Sequence, residues 1–321
     1  MTENELRTDI RYYSSVTAKN VDWLWHPYIP YGRITVVQGD PGEGKTTFVL
    51  NVAALLSTGQ PMPDTKIPVS AQSVIYQSTE DGLADTIKPR LIEAGADCSR
   101  IAFIDDSLEP LTLDDTRIER AILETGANML ALDPLQAFVG KEADLHRAND
   151  IRPLMHRLAG VAERTNCAVI IIGHMNKSAS AKGLYRGLGS IDITAAARSV
   201  LLVGRLRDEP TIRVMAQLKN NLAPEGKSIA FELDALNGFR WIGQYIVGVD
   251  DILSGETSVE KTKLVQAQNI IQSILCVEPC LCSHIYEICH ERGISKRTVD
   301  AAKRVLGVKS MKQMDGWKWS L

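Results

Sequence analysis

The chain has 321 residues, a formal net charge of −3 and apolar residues at 45% of its positions, which is typical of a folded globular protein with room for a large and a small domain. A charge this close to zero argues against a uniformly basic nucleic-acid binder, so contacts with nucleic acid would need local clusters of lysine and arginine. No apolar run reaches the ~20 residues that a membrane span needs, and the polar first eleven residues have no signal-peptide core. The six cysteines are therefore expected as reduced thiols in the cytoplasm.

A glycine-rich segment near the N-terminus has the spacing of a phosphate-binding loop. It consists of Gly39, Asp40, Pro41, Gly42, Glu43, Gly44, Lys45 and Thr46, followed by Thr47. The glycines let backbone N–H groups wrap a polyphosphate, the lysine contacts the β- and γ-phosphates, and the threonine hydroxyl ligates Mg²⁺. A β-branched run at 33–38 precedes the loop and an apolar helix at 47–56 follows it, which is the setting for anion binding at a helix N-terminus. The pattern predicts binding of ATP and Mg²⁺.

Strands and helices are predicted to alternate after this loop. The predicted strands are 73–77, 101–104, 129–132 and 168–172, and the predicted helices are 83–94, 115–124 and 150–164. This alternation predicts an α/β fold with a doubly wound, mainly parallel sheet. Four more strands follow without long helices between them and are predicted to add antiparallel strands to one edge: 199–203, 211–217, 229–233 and 239–242.

The last part of the chain has a different pattern, which predicts a second domain. The predicted division is an N-terminal segment at 1–20, an ATPase domain at 21–247, a polar linker at 248–260 and a small domain at 261–321. Three helices are predicted in the small domain, at 263–277, 283–292 and 295–306, before a hairpin whose turn is Asp315-Gly316. This order indicates a winged helix. The clustered cysteines and histidines at 276–290 lack paired zinc-ligand spacing, and Cys282, Ile285 and Cys289 fall on one helix face, which favours burial over metal binding.

Three residues at predicted strand ends are candidates for phosphoryl-transfer chemistry. Asp133 follows the strand 129–132, at the edge where ligands gather in open α/β sheets, and is interpreted as an aspartate on the Mg²⁺ side. Glu80 ends the second strand and is the candidate general base, provided that the first two strands flank the site; Asp81 is the alternative. His174 ends the fifth strand, where a neutral imidazole could bond a γ-phosphate. A turn-capping, solvated or structural role is the alternative for each.

Together these residues resemble RecA-like ATPases of the hexameric replicative helicase type. Within that group the chain looks like the plasmid RepA-type branch, which includes the AAA_25 domains found on mobile elements, and the resemblance covers about 21–243. Beyond the phosphate loop it depends on Gly-His-x-Asn-Lys at 173–177, on Arg-Gly-x-Gly-Ser at 186–190 and on Arg198. The resemblance implies ATP hydrolysis by a hexameric ring, with the loop 175–190 facing single-stranded DNA in its channel.

The resemblance also implies particular contacts with DNA and with a neighbouring subunit. Lys177, Lys182 and Arg186 are expected to neutralise the backbone of single-stranded DNA. Lys219 matches the lysine that such rings supply to a neighbour's γ-phosphate and is counted with the catalytic residues. DnaB-type helicases commonly have an arginine two residues later, where this chain has Asn221, so Arg205 and Arg207 are alternatives.

In the predicted winged helix, four basic residues are expected to contact duplex DNA: Lys296, Arg297, Lys303 and Arg304. Docking of another protein is the alternative for this domain. The leading hypothesis for the whole chain is an ATP-hydrolysing, ring-forming, helicase-like motor on single-stranded DNA. The alternatives are a RecA-like recombination mediator and a nucleotide-switched DNA-binding regulator with little turnover.

Overall fold

A computed structural model describes residues 10–65, 70–140, 143–145, 147–175, 191–206, 209–234, 238–254, 259–276, 278–313 and 316–320. The strands are β1 (Trp23–Trp25), β2 (Ile29–Pro30), β3 (Ile34–Gly39), β4 (Ser73–Ser78), β5 (Ile101–Ala102), β6 (Ala127–Asp133), β7 (Ala168–His174), β8 (Ser199–Leu206), β9 (Glu209–Asn220), β10 (Ser228–Asp234), β11 (Gly238–Tyr245), β12 (Cys280–Leu281), β13 (Lys309–Gln313) and β14 (Gly316–Ser320). The helices are α1 (Lys45–Thr58), α2 (Lys88–Glu93), α3 (Thr116–Thr125), α4 (Ala148–Thr165), α5 (Ile191–Ala196), α6 (Val249–Ser254), α7 (Val259–Leu275), α8 (Cys282–Glu291) and α9 (Lys296–Val305).

The largest sheet has nine strands in the order β11-β10-β9-β8-β3-β7-β6-β4-β5. The six strands from β8 to β5 are parallel, and β9, β10 and β11 form an antiparallel extension of one edge. The predicted α/β class with a mainly parallel sheet is confirmed. The segment 199–203 is predicted among the antiparallel strands, but β8 pairs with β3 in parallel. A helix, α5, lies in the connection that leads to β8, and such crossovers join parallel strands.

The strand order also corrects the placement of the first two predicted strands. These are β3 and β4, and β7 and β6 lie between them, so they do not flank the site together as expected. The chain leaves β3 for one side of the sheet and returns beside it through β7 and β8. Because the parallel strands share one direction, the carboxyl ends of β3, β7, β6 and β4 meet at one edge. The candidate site lies at that edge.

Two apolar cores cover the two faces of this sheet. One contains α1 and the antiparallel extension, with Trp25, Phe48 and Phe231 buried. The other contains α3 and α4, with Ile118 and Leu158 buried. The central strands are buried on both sides, which explains why their sequences are almost continuously apolar.

Residues 259–320 contain three helices and a three-stranded antiparallel sheet in the order β12-β14-β13. Their core includes Ile271, Ile285, Val299 and Trp319. The elements follow the predicted order of three helices and a final hairpin; Asp315 of the predicted turn lies outside the described residues. The winged-helix assignment remains a prediction.

The cysteine-rich helix face is confirmed. Ile285 and Cys289 are buried in the same core and Cys282 packs against it, while all six cysteines of the chain are free thiols. Among the residues that the structure describes, no group of three or more potential metal ligands occurs. Within the same ranges, no helix combines the length and the apolar character needed to cross a membrane.

The predicted linker at 248–260 contains a helix, which corrects that prediction. α6 packs against β8, where Ile252 lies so close to Gly204 that a Cβ on this glycine would be 2.4 Å from the Ile252 Cγ2. Val265 of α7 is buried in the same cluster, together with Tyr245 and Ile252. The apolar residues Val249, Ile252 and Leu253 explain why the segment packs instead of remaining extended.

Candidate nucleotide site

The glycines of the phosphate-binding loop are required by the backbone around them. A Cβ on Gly39 would be 2.1 Å from the carbonyl oxygen of Val203 in β8, so a larger residue is excluded unless the backbone shifts. Gly42 and Gly44 have φ values of 79° and 85°, in the left-handed region that favours glycine. α1 begins immediately after Gly44, so its free N–H groups and the positive end of its dipole face the loop.

Lys45 is folded inwards, into the loop. Its side chain is 4% exposed, and Nζ donates hydrogen bonds to the carbonyl oxygens of Gly39, at 2.9 Å, and Asp40, at 2.8 Å. Burial lowers the pKa of Lys45, while the nearby carboxylates, Asp133 first among them, favour its charged form. An ammonium group held there can be transferred to phosphate oxygens, which would compete with the two carbonyls for its protons.

Asp133 and Thr46 meet as a predicted metal-binding pair should. The Asp133 Oδ2 atom accepts hydrogen bonds from the Thr46 Oγ1, at 2.6 Å, and from the Tyr76 hydroxyl, at 2.7 Å. Burial raises the pKa of Asp133, and the two donated hydrogen bonds oppose this effect. Oxygen donors are the ligands that Mg²⁺ prefers, so Thr46 and Asp133 fit this ion. Sequence reasoning missed Tyr76, although its position two residues before the end of β4 was the available signal.

Glu80 reaches the same edge although its strand is not next to β3. β4 pairs with β6 so that Ser78 lies opposite Asp133, which brings the residues after both strands to one place. The Glu80 Oε2 atom is 4.0 Å from the His174 Nε2, and Glu80 is among the charges that raise the pKa of Lys45. The rival base, Asp81, forms an ion pair with Arg90 at 2.9 Å. Glu80 is 65% exposed and therefore more accessible to water.

A cluster at Glu43 was not predicted from the sequence. The Arg205 Nε is 3.0 Å from one carboxylate oxygen of Glu43, and the buried Arg213 approaches the other at 3.9 Å. Burial lowers the pKa of Arg213, and neighbouring Arg205 adds to this effect. Arg205 ends β8 and Arg213 lies in β9, so this side of the sheet supports the phosphate-binding loop. Arg205, named above as an alternative donor to a neighbour, contacts the loop of its own chain; Arg207 lies outside the described residues.

The geometry described so far agrees with a match to a family of known proteins. The family model AAA_25, described as an AAA domain, matches residues 2–180, which include the loop, Glu80, Asp133 and His174. The chain belongs to the AAA_25 family. The resemblance to RecA-like P-loop ATPases inferred from the motifs is thereby confirmed.

Curated relatives of this AAA_25 protein include bacterial proteins named DNA repair protein RadA. The one from Halalkalibacterium halodurans is 28% identical over 205 residues, which cover 63% of this chain and 39% of that protein. The one from Helicobacter pylori strain J99 is 26% identical over 225 residues, 68% of this chain and 44% of that protein. The chain thus spans about two fifths of the length of these relatives.

Solved structures with a similar fold include a KaiC-like protein from Pyrococcus horikoshii and the ATPase domain of a second protein. The first has a TM-score of 0.48 and 19% identity, and covers 66% of this chain and 90% of its own. The second has a TM-score of 0.49 and 15% identity, and covers 66% and 84%.

Lys219 lies away from the phosphate-binding loop of its own AAA_25 chain. It is opposite Val200, which in turn is opposite Val36, three residues before the end of β3 and therefore about 10 Å from that end along the strand. Its Nζ donates to the carbonyl oxygens of Thr194, at 2.7 Å, Ala195, at 3.3 Å, and Ala197, at 2.9 Å, at the C-terminal end of α5. Burial lowers the pKa of Lys219, and Arg198 adds to this effect.

A cavity of about 540 Å³ opens next to Thr47, the residue after the loop. One wall is α1, including Leu50 and Asn51, and the facing wall includes Phe239 and Trp241 of β11. The two aromatic rings contact each other edge to face, with centroids 4.8 Å apart. The cavity therefore has an aromatic wall and a few polar groups, the usual character of a small-molecule site.

The residues predicted to bind DNA are only partly within the described chain. Lys177, Lys182 and Arg186 lie outside it. In α9, the Lys296 ammonium lies 5.2 Å from the centre of the Tyr286 ring and that of Lys303 lies 4.7 Å from the centre of the Trp319 ring. Two further basic residues of this helix are exposed, Arg297 and Arg304.

Proposed function

We propose that the protein is an ATP-hydrolysing, DNA-associated motor that forms rings and acts on single-stranded DNA in the manner of a helicase. The convergence of Lys45, the Thr46–Asp133 pair, Glu80 and His174 at one sheet edge carries the proposal. Phosphoryl transfer to water needs positive charge at the phosphates, a divalent cation and a residue that orients water, and these side chains supply or hold all three.

The proposed roles follow from the contacts. Lys45 binds the β- and γ-phosphates, and Thr46 and Asp133 hold Mg²⁺. When bound, Mg²⁺ neutralises phosphate charge as the γ-phosphoryl group departs. Glu80 orients and deprotonates the attacking water, and His174, beside it, hydrogen-bonds the γ-phosphate. The nucleoside occupies the cavity between Thr47 and Trp241, where an aromatic wall suits a planar base.

The DNA partner and the ring are supported by other observations. The curated relatives are named as DNA repair proteins, which favours a nucleic-acid partner for this chain and gives the recombination-mediator alternative its best support. Lys219 is distant from its own phosphate loop, as a residue acting on a neighbouring subunit would be. The exposed Arg297 and Arg304 suit duplex DNA at the small domain.

ATP hydrolysis measured with and without single-stranded DNA, together with mass in solution with and without nucleotide, tests the proposal. We expect DNA-stimulated hydrolysis and a nucleotide-dependent closed ring. DNA-stimulated hydrolysis by an open filament would select the recombination mediator. Binding of duplex DNA with negligible hydrolysis would select the nucleotide-switched regulator, and the motor proposal would then be rejected.

A further inference from the structure

Tyr76 places its hydroxyl at the centre of the candidate site from inside the sheet. Its side chain is 2% exposed, and the hydroxyl donates to the Asp133 Oδ2 at 2.7 Å. A buried phenol needs a hydrogen-bond partner, and this carboxylate supplies one. Burial raises the pKa of Tyr76, and Asp133 adds to this effect, so the phenol stays protonated as a donor.

The sheet register explains how Tyr76 reaches Asp133. Tyr76 lies opposite Ala131, and Ser78 lies opposite Asp133. Side chains two residues apart on a strand share a face, so Tyr76, Ala131 and Asp133 are on the same face of the sheet. Ala131 is small and leaves room for the ring to lie along the sheet towards the carboxylate.

We infer that Tyr76 is a positioning residue that fixes the orientation of Asp133 for binding of the divalent cation. The inference rests on the proposed nucleotide function. Asp133 has two donors on one oxygen, and they differ in kind: the Thr46 hydroxyl is itself a proposed metal ligand, whereas Tyr76 is fixed in the sheet. Tyr76 therefore holds the carboxylate in place before, during and after cation binding, and leaves its second oxygen to face the cation. Partners of this type, one step behind the metal ligands, typically change metal affinity by about 10- to 100-fold when they are removed.

The chain offers a matched control for a purely structural role. Tyr245 donates its hydroxyl to the carboxylate of Glu209, at 3.0 Å from both oxygens. This pair lies in the antiparallel extension and not among the proposed metal ligands. If the Tyr76 hydroxyl only stabilised the fold, Tyr76→Phe and Tyr245→Phe would both lower the melting temperature and neither would change cation binding.

The test is a titration of Mn²⁺ into the full chain with a non-hydrolysable ATP analogue, followed by electron paramagnetic resonance of free Mn²⁺. We expect Tyr76→Phe to weaken Mn²⁺ binding by about 10-fold or more, with metal-free binding of the analogue unchanged. Tyr245→Phe should bind Mn²⁺ like the wild type. Replacing Tyr76 by 4-aminophenylalanine, which keeps a donor at the same ring position, should restore most of the affinity.

Wild-type Mn²⁺ affinity in Tyr76→Phe would overturn the inference. So would equal weakening in Tyr76→Phe and Tyr245→Phe, because it would show a general loss of stability. Should Tyr76→Phe fail to fold, the 4-aminophenylalanine variant decides, since its added donor must then support both folding and wild-type Mn²⁺ binding. Failure of the wild type to bind the analogue with Mn²⁺ would reject the proposed function itself, which is a separate outcome.

Discussion

Lys45 already has two hydrogen-bond acceptors in its own loop, so its substitution affects both the loop and the nucleotide. We expect Lys45→Ala to weaken ATP binding by about 10- to 100-fold, because a hydrogen bond to a charged group contributes about 1.5–3 kcal/mol. Binding of a fluorescent ATP analogue measures the effect, with circular dichroism as the check on folding. Unchanged affinity in a folded variant would remove the phosphate site from this loop.

Glu80 and Asp81 are adjacent in sequence but differ in their contacts, which allows a paired test. Glu80→Gln should bind Mg²⁺–ATP normally and hydrolyse it at least ~10²-fold more slowly, since it loses the base. Asp81→Asn should hydrolyse ATP at close to the wild-type rate, because Asp81 is bound to Arg90. Single-turnover hydrolysis with a saturating amount of enzyme measures both. The reverse pattern would transfer the role to Asp81.

At the level of single residues, the sequence was sufficient where local spacing decides the chemistry. Lys45, Thr46 and the strand-end Asp133 were predicted because the loop motif and the strand boundary are local patterns. Tyr76 and the arginines around Glu43 were not, because each acts across strands that are distant in sequence. The proximity of Glu80 to the site was predicted for a wrong reason, since β4 reaches this edge beside β6 and not beside β3.

α5 ends on Lys219, and this contact gives a prediction at the level of a structural element. The Nζ donates to three carbonyl oxygens at the helix end, so Lys219→Ala should lower the free energy of unfolding by about 1 kcal/mol. Lys219→Arg, which keeps charge and donors, should recover much of this. Lys227→Ala is the control, because the Lys227 Nζ donates to an exposed amide side chain and surface changes are usually within about 0.5 kcal/mol. Urea denaturation compares the three variants, and equal stability of Lys219→Ala and wild type would show that the cap is not significant.

The long elements could be predicted from periodicity, and the short or tertiary ones could not. α4 and β7 lie within two residues of their predicted bounds because their apolar patterns are long. The predicted helix at 83–94 is a π-helical turn, Leu83–Ile87, that leads into α2, where Pro89 stands in the first turn. The parallel direction of β8 depends on how the chain crosses the sheet, and α6 depends on a pocket at Gly204; neither is encoded in a local pattern.

For the whole molecule, mixing two inactive variants tests whether subunits share a site. Lys219→Ala should bind ATP and lose hydrolysis if Lys219 acts on a neighbouring γ-phosphate, because its charge matters most as that phosphate departs. Mixed with Lys45→Ala, it should regain part of the activity, since some interfaces would then combine an intact loop with an intact lysine. Subunit exchange is first checked by a labelled pull-down. Absence of rescue despite exchange would contradict both the trans role and the ring.

α7 has one face in each of two cores. Val265 packs with Tyr245 and Ile252 of the ATPase part, while Ala267 and Ile271, about half a turn around the helix, are buried in the small domain. Each residue of an α-helix turns its successor by about 100°, so a single insertion between Val265 and Ile271 would rotate one set of contacts out of register with the other. The small domain therefore cannot be exchanged by cutting within α7, and a functional chimaera would have to carry this helix whole, with both of its faces matched.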